Sequence, residues 1–221
     1  MVSKVTIIEV AKEAGVGPST VSRVLNDQRV SEKKRQAVLD AIKKLNYRPN
    51  LIARNLRTSI SKICGLVIPD ICNSFFGQIA AGASDVLEKQ GYELIISNTG
   101  QKIEKQNDAV LTMVSRQVDG ILLCAIGGDA SVANEVNKEN CPVIVIDNKL
   151  ENMDQLDSVM VDNVKAAYTL TEHLCMIGYK RIATITGPLE QSSASERLVG
   201  FRKAMADYNI ELDEEMIKES D

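Results

Sequence analysis

The sequence predicts an all-α head followed by an α/β body with parallel sheets. In residues 5–46, apolar side chains recur at the spacing of three short amphipathic helices. From Ile63 onward, short apolar runs alternate with amphipathic stretches, which is typical of strands that alternate with helices in a parallel sheet. Hydrophobic residues make up 44% of the 221 residues, which is enough to bury a sizeable core.

Each helix of the head has a recognisable start in the sequence. Thr6 is followed three places later by Glu9, which is the pattern of a capping box. Gly17 is an acceptable N-cap, and Pro18 fits the first helical position because its missing N–H costs nothing there. The third helix begins after Ser31. The side chains expected to face inward are Val10, Ala11, Ala14, Val21, Val24, Leu25, Val38, Ala41, Ile42 and Leu45.

A basic connector, "YRPNLIARNLRTSISK", follows the three helices and contains no acidic residue. It could form one or two helical turns, but such a segment is too short to be a stable helix alone. We expect it to become ordered only when something binds it. The predicted domains are residues 1–47 for the head, 48–62 for the connector, 63–148 for a first lobe and 149–221 for a second lobe.

The charge of the chain is unevenly distributed. Residues 1–62 contain 13 Lys and Arg against 5 Asp and Glu, whereas the remainder contains 13 against 25. A basic head on an acidic body is the asymmetry expected when one end of a protein meets a polyanion. Chance scatter of surface charge is the alternative.

The body is predicted to begin with "ICGLVI", "YELIIS", "VDGILLC" and "CPVIVID" as strands. Its predicted helices cover residues 76–90, 104–116, 130–139, 164–177 and 196–209. The second half has only two strong strands, "DSVMVD" and "RIATITG", before the chain reaches "EMIKESD". Two strands would make a thin sheet with an open edge, so the second lobe is expected to be incomplete and the chain to be cut short.

The rarer residue types favour a reduced, cytoplasmic protein without cofactor or metal. The five cysteines form no CxxC pair, and the single His173 has no ligand spacing around it. Glu9 and Glu13 stand where a signal peptide would need an apolar run. No apolar run approaches the roughly 20 residues that span a bilayer.

The first two helices, joined by a tight turn that contains glycine, predict a helix-turn-helix. In this motif the second helix enters the DNA major groove. Ser19 and Arg23 are four residues apart and share one face, and arginine can bind guanine O6 and N7 together. Pro18 can offer only an apolar contact. Thr6, Ser22 and Asn26 are expected to contact phosphates, which set register but not sequence. An ordinary three-helix cap with a solvated polar face is the alternative.

The sequence resembles the lac repressor (LacI/GalR) family of bacterial transcription regulators. The resemblance rests on "VTIIEVAKEAGVGPSTVSRVLN", "LNYRPN" and "ARNLR" in the head, and on "GLVIPD", "VDGILLC", "PVIVID" and "SERLVGFRKAM" in the body. It implies that the connector is a hinge helix, with Ala53 against the minor groove and Leu56 wedged into the central base step. The expected DNA contacts are Thr6, Pro18, Ser19, Thr20, Ser22, Arg23, Asn26, Asn50, Ala53, Arg54, Leu56 and Arg57.

The same resemblance implies that the body has a periplasmic-binding-protein-like fold, with a ligand cleft between two lobes. Ligands in such sheets bind at the carboxyl ends of the strands. The candidate effector-binding residues there are Asp70, Asn73, Phe75, Phe76, Asp147 and Arg197. Arg197 within "SERLVGF" matches the effector-binding arginine of the family. Burial under its loop is an open alternative for Phe75, and Asp162 could serve only as a helix cap.

The sequence thus predicts a repressor that binds double-stranded DNA as a homodimer on a pseudo-palindromic operator. A small effector, a sugar or its phosphate, would control it. Two rival classes are a stand-alone small-molecule binder and an α/β enzyme. The basic head argues against the first. The second lacks support because no GxGxxG, GxxxxGK[ST] or GxSxG motif occurs.

Overall fold

The computed structural model describes residues 5–26, 28–47, 60–139 and 141–220. The chain divides into two compact units, residues 1–59 and residues 60–221. Among the described residues, no helix combines the length and the apolar character that crossing a membrane requires.

In the described part of the first unit, the chain forms three helices, α1 (Ile7–Glu13), α2 (Pro18–Leu25) and α3 (Glu32–Lys44). The capping box at the start of α1 is confirmed, since Thr6 and Glu9 satisfy each other's backbone N–H groups. Helix α2 begins as predicted, with glycine as its N-cap and proline in the first turn, and Ser31 is the N-cap of α3. All three helices therefore begin where the sequence predicts.

The turn between α1 and α2 depends on Gly15. This residue has φ +64°, and nothing lies within 4 Å of the position that a Cβ would occupy. A side chain would therefore fit in space but would strain the backbone. The turn lets the helices share one small core, in which Val10, Val21 and Val38 are fully buried. The partly buried side chains around it are Val5, Ile7, Ala14, Val16, Leu25, Val30, Ile42, Leu45 and Tyr47.

The second unit contains a five-stranded parallel sheet and a separate two-stranded parallel sheet. The strands are β1 (Ile63–Ile68), β2 (Glu93–Asn98), β3 (Gly120–Cys124), β4 (Val143–Ile146), β5 (Asp157–Val159), β6 (Thr184–Thr186) and β7 (Ile217–Glu219). The large sheet has the order β2-β1-β3-β4-β5, and β6 pairs with β7. The helices are α4 (Ser74–Lys89), α5 (Ile103–Ser115), α6 (Ser131–Lys138), α7 (Asn163–Met176) and α8 (Ser192–Asp207), with a short 3₁₀ helix at Glu214–Met216.

The large sheet is buried on both faces at its centre. One cluster joins Val67, Leu123 and Val145 to apolar side chains of α5 and α6. A second cluster contains Leu66 and Phe76, on β1 and α4. This confirms the prediction of a parallel sheet covered by helices, because such strands need apolar neighbours on both sides.

The prediction that "DSVMVD" and "RIATITG" form a thin sheet together is wrong. Strand β5 pairs with β4 at the edge of the large sheet, with Ile144 opposite Asp157 and Ile146 opposite Val159. Strand β6 pairs instead with β7, which lies in "EMIKESD" and was not predicted as a strand. All three residues of β5 are exposed, so the sequence of this edge strand carries little information about its partner. The predicted lobe boundary at 148/149 stays a prediction.

Helix α8 begins four residues earlier than predicted, because its serine-rich first turn is packed rather than exposed. Ser193 and Ala194 are 2% and 1% exposed. Farther along α8, Gly200 lies against α7. A Cβ there would approach the Val164 carbonyl oxygen to 2.1 Å, so only glycine lets the two backbones come this close.

Candidate functional site

The outer face of α2 carries the predicted base-reading residues. Pro18, Ser19 and Arg23 are exposed, while Val21 and Val24 on the opposite face are buried in the head. The burial of one face fixes the orientation of α2 about its own axis, so the three side chains point to solvent together. Their role in reading bases stays a prediction.

Two of the side chains predicted to contact phosphates, Thr6 and Asn26, already make hydrogen bonds within the head. Asn26 is the C-cap of α2, and its Nδ2 donates to the Ser22 carbonyl oxygen over 2.7 Å. The Thr6 hydroxyl donates to Glu9 Oε2 over 2.9 Å and accepts from the Glu9 N–H over 3.3 Å. Hydrogen bonds from the Thr6 backbone and side chain lower the pKa of Glu9. Thr20 and Ser22 are half-buried.

The predicted hinge contacts belong to the basic connector. Asn50, Ala53, Arg54, Leu56 and Arg57 lie outside the described residues.

A cavity of about 560 Å³ opens at the carboxyl ends of the strands in the second unit. Six predicted effector-binding residues line it, namely Asp70, Asn73, Phe75, Phe76, Asp147 and Arg197. Its other lining residues are Pro69, Gln101, Ile126, Asn148, Val161, Asn163, Ala166, Pro188, Gln191 and Ser193. The volume lies in the range of small-molecule sites, and the position follows the rule for open parallel sheets.

The loop between β1 and α4 presents two aromatic rings at this cavity. Asn73 caps α4 by accepting a hydrogen bond from the Phe75 N–H over 3.0 Å. The rings of Phe75 and Phe76 meet edge to face, with centroids 5.2 Å apart. Phe76 is buried, whereas Phe75 keeps 42% of its surface exposed. An aromatic face is thus available to a ligand, and burial under the loop does not describe Phe75.

Asp147 is held in an uncommon backbone conformation. Its φ is +73°, and the Asn148 N–H donates to the Ile146 carbonyl oxygen over 3.0 Å, which closes a three-residue turn around Asp147. This form of γ-turn is rare and strained. Burial raises the pKa of the Asp147 carboxyl, and the charge of Arg197 opposes that shift. Strain of this kind is concentrated at functional sites.

Arg197 is fixed by two side chains before any ligand arrives. Its Nη1 donates to Asn163 Oδ1 over 2.9 Å, and its Nη2 to Ser193 Oγ over 3.4 Å. Asn163 is only 4% exposed, and its Nδ2 donates to Glu196 Oε2 over 3.3 Å. The guanidinium is therefore pre-oriented at the cavity wall.

Three polar residues that were not among the predicted effector-binding residues also support this site, Asn148, Asn163 and Ser193. All three are buried. The Ser193 N–H donates to Asn148 Oδ1 over 3.0 Å, and Asn148 Nδ2 donates to the Ala125 carbonyl oxygen over 3.1 Å. Asn148 and Asn163 each follow an aspartate near a strand end, and this repeated Asp-Asn pair is the sequence signal that marks them.

The cavity suits a ligand with many hydroxyl groups. Asp70 and Asp147 supply hydrogen-bond acceptors, Arg197 supplies donors, and Phe75 supplies an apolar face. Among the described residues that line it, none is a histidine or cysteine. In the described part of the chain, no three His, Cys, Asp or Glu side chains gather as a metal site would need.

The two units thus combine a helix-turn-helix fold with an α/β fold that carries a strand-end cleft. Residues 6–50 match the family of bacterial regulatory proteins described as the lacI family. Residues 61–221 match the family of periplasmic binding proteins and sugar binding domains of the LacI family. The chain belongs to the LacI family.

Several characterised relatives carry names of regulators. The chain is 36% identical over 214 residues to the HTH-type transcriptional regulator RegA of Clostridium saccharobutylicum, covering 96% of this chain and 64% of that one. It is 38% identical over 216 residues to catabolite control protein A of Staphylococcus xylosus, covering 96% and 65%. The chain therefore spans slightly less than two thirds of the length of these relatives.

The fold is also similar to solved structures of regulators. The lac repressor dimer bound to operator and the anti-inducer ONPF has a TM-score of 0.82 at 27% identity, covering 98% of this chain and 65% of that one. The transcriptional regulator CelR in complex with cellobiose has a TM-score of 0.64 at 28% identity, covering 99% and 66%.

Proposed function

We propose that this chain is a sequence-specific DNA-binding transcriptional repressor controlled by a small effector. The observation that carries the proposal is the exposed row of Pro18, Ser19 and Arg23 on α2, opposite a face buried in the head. Family membership supports the proposal, because the relatives named above are transcriptional regulators. Double-stranded DNA in the cytoplasm of a bacterium is the proposed target.

Sequence choice rests on the chemistry of the exposed row. The Arg23 guanidinium can donate to O6 and N7 of one guanine, and this bidentate contact distinguishes guanine from the other bases in the major groove. Ser19 lies one helical turn away on the same face and can donate to a base or a phosphate. Pro18 can contact a thymine methyl group. The excess of Lys and Arg in residues 1–62 adds attraction to DNA that does not depend on its sequence.

The cleft is the proposed effector site, and a sugar or sugar derivative is the proposed effector class. Phe75 offers a ring to a sugar face, and Asp147 and Arg197 can hydrogen-bond its hydroxyl groups. Solved relatives support this class, since one of them is a complex with cellobiose and another a complex with D-xylulofuranose. Either a neutral sugar or a sugar phosphate fits the proposal.

The proposed repressor acts as a homodimer on a palindromic operator. A two-fold symmetric dimer presents two copies of α2 to two half-sites. The similar lac repressor structure is a dimer bound to operator. The effector would act by favouring one arrangement of the loops around the cleft, since a ligand shifts an equilibrium only by its differential affinity.

Selection of bound duplexes from a random pool, at moderate salt, tests the proposal. We expect enrichment of a palindrome with a pyrimidine–purine step at its centre. Enrichment of single half-sites would support the reading helix and refute the dimer for this chain. Absence of enrichment by a folded sample would refute sequence-specific binding.

A further inference from the structure

The polypeptide joins the second unit through two residues that share one carboxylate. The Ser61 N–H donates to Asp119 Oδ1 over 2.8 Å, and the Lys62 N–H donates to Asp119 Oδ2 over 2.9 Å. The Ser61 hydroxyl donates to Oδ1 as well, over 2.9 Å. Both carboxylate oxygens are thus used, and hydrogen bonds to an ionised group are stronger than neutral ones.

The backbone around this carboxylate is bonded to both neighbouring strands. The Glu93 N–H at the start of β2 donates to the Lys62 carbonyl oxygen over 2.8 Å, and the Asp119 N–H before β3 donates to the Ile63 carbonyl oxygen over 2.8 Å. The Ser61 hydroxyl also accepts from the Ile63 N–H over 3.2 Å. The path of the chain is therefore fixed before β1 begins.

Lys62 adopts a backbone conformation that its own side chain does not favour. Its φ is +60°, in the left-handed region that few residues other than glycine visit. Such a conformation persists only when its surroundings impose it. The Lys62 side chain is also held, with Nζ 4.1 Å from the centroid of the Tyr92 ring and 3.5 Å from the Gln90 carbonyl oxygen. The carboxylate and these contacts together set the direction of the chain.

Asp119 and the cleft lie at opposite ends of one central strand. Strand β3 runs from Gly120 to Cys124 between β1 and β4, a span of roughly 17 Å. Beyond its far end, Ile126 lines the cavity and donates its N–H to Gln106 Oε1 over 2.8 Å. A short buried strand is a stiff connection between its two ends.

We propose that Asp119 is a positioning residue that fixes the direction in which the chain enters the second unit, and that this direction is required for selective DNA binding. The inference rests on the proposed function, because the segment that precedes Ser61 leads to the helix-turn-helix. Strand β3 then connects the two places, because Asp119 precedes its first residue and the effector cleft lies beyond its last residue. Asp119 touches neither DNA nor effector in this account.

Hydrogen exchange of the full chain tests the anchor without any DNA. The variant Asp119→Asn keeps the shape of the side chain but places an amide N–H₂ where an acceptor is needed. We expect the Ser61 and Lys62 amides to exchange at least about tenfold faster in this variant. Ser61→Ala removes only the hydroxyl bonds and should give a smaller increase. Asp108→Asn, an exposed aspartate on α5, makes the same charge change and should leave both amides unaltered.

DNA binding tests whether the anchor serves selectivity. The probes are the duplex enriched by the wild-type chain and a shuffled duplex of the same composition. We expect Asp119→Asn to weaken binding to the enriched duplex about tenfold or more and to leave binding to the shuffled duplex within about twofold. A merely structural defect would reduce the folded fraction and so lower both affinities together. Asp108→Asn should change the affinity for each duplex only by the effect of losing one negative charge.

The two experiments test the anchoring role of Asp119 and the proposed function separately. Unchanged exchange at Ser61 and Lys62 in Asp119→Asn would overturn the anchor. Faster exchange with equal losses on both duplexes would overturn its role in selectivity. If the wild-type chain prefers no duplex, the proposed function fails, and the exchange result still decides whether Asp119 fixes the chain. If Asp119→Asn does not fold, Ser61→Ala carries the same two tests with smaller expected effects.

Discussion

Arg197 on α8 donates a 2.9 Å hydrogen bond to Oδ1 of Asn163, the first residue of α7. The two residues are 34 positions apart in the sequence, and both line the cleft. This hydrogen bond holds the Arg197 guanidinium in place. Protein acceptors occupy one edge of the guanidinium. Ligand binding then needs little reordering of this side chain, which preserves affinity.

Replacing Arg197 by lysine should weaken effector binding without unfolding the chain. An ammonium group cannot donate in the planar, forked geometry that holds the guanidinium between Asn163 and a ligand. We expect the affinity to fall by about tenfold or more, roughly 1.4 kcal/mol. The measurement is calorimetric titration with the compound that most stabilises the wild-type chain in a panel of sugars and sugar phosphates. Arg202→Lys, an exposed arginine of α8, is the control. Equal affinity in both variants would show that Arg197 does not contact the effector.

Gly200→Ala should destabilise the second unit. Its Cβ would lie 2.1 Å from the Val164 carbonyl oxygen and 2.9 Å from the Tyr168 nitrogen, so the backbones of α7 and α8 would have to separate. We expect a loss of about 3 kcal/mol in the free energy of unfolding, the upper end of overpacking effects. Chemical denaturation provides the measurement. Gly82→Ala in α4, where nothing lies within 4 Å, should instead stabilise by about 0.5–1 kcal/mol. A neutral Gly200→Ala would contradict the close approach of the two helices.

Asp147→Asn should alter the pH dependence of stability. Burial raises the pKa of Asp147 in the folded chain, so the ionised carboxylate destabilises it. The stabilisation from the protonated form is complete below the pKa of an unfolded aspartate and is lost as the pH rises through the higher folded value. The asparagine variant should therefore be more stable than the wild type near neutral pH, and the difference should disappear towards about pH 3.

Denaturant midpoints measured from about pH 3 to about pH 8 check this prediction for Asp147. The exposed Asp157→Asn on β5 is the control for loss of one charge. The asparagine variant should also bind the effector more weakly, since function retains a group that costs stability. If the stability gain of Asp147→Asn over the wild type grew as the pH fell, this result would contradict a raised pKa for Asp147 in the folded chain.

Arg23→Ala should relax sequence choice rather than abolish DNA binding. The exposed guanidinium can discriminate guanine by about 1–3 kcal/mol, and this discrimination should vanish at one base pair in each half-site. Affinities for single-base-pair variants of the enriched duplex give the measurement. Lys33→Ala on α3 removes a positive charge of the same unit and should weaken all duplexes alike. Unchanged discrimination in Arg23→Ala would assign base reading to other residues.

Local signals made much of the fold predictable. The pair Thr6 and Glu9 acts through hydrogen bonds between residues three positions apart, and Pro18 acts through its own fixed φ, so the consequences of both can be read from the sequence. The rule that ligands bind at the carboxyl ends of parallel strands, together with the resemblance of "SERLVGF" to the family's effector-binding segment, predicted Asp70, Asp147 and Arg197, and all three line one cavity.

The features that were missed depend on contacts between distant segments. Strand β5 is a three-residue exposed edge, so the pattern of its side chains does not indicate that it pairs with β4. Asn163 and Ser193 gain their roles only when α7 and α8 pack together. Asp119 likewise bonds to Ser61, which is 58 positions away.

The most direct test of the central claim is the affinity of the wild-type chain for the enriched duplex compared with a shuffled duplex at the same salt concentration. We predict a difference of about a thousandfold or more, with both affinities falling steeply as salt is raised. We also predict that the difference shrinks when Arg23 is replaced by alanine. Equal affinity for the two duplexes, measured on a folded sample, would contradict the claim that α2 reads a DNA sequence.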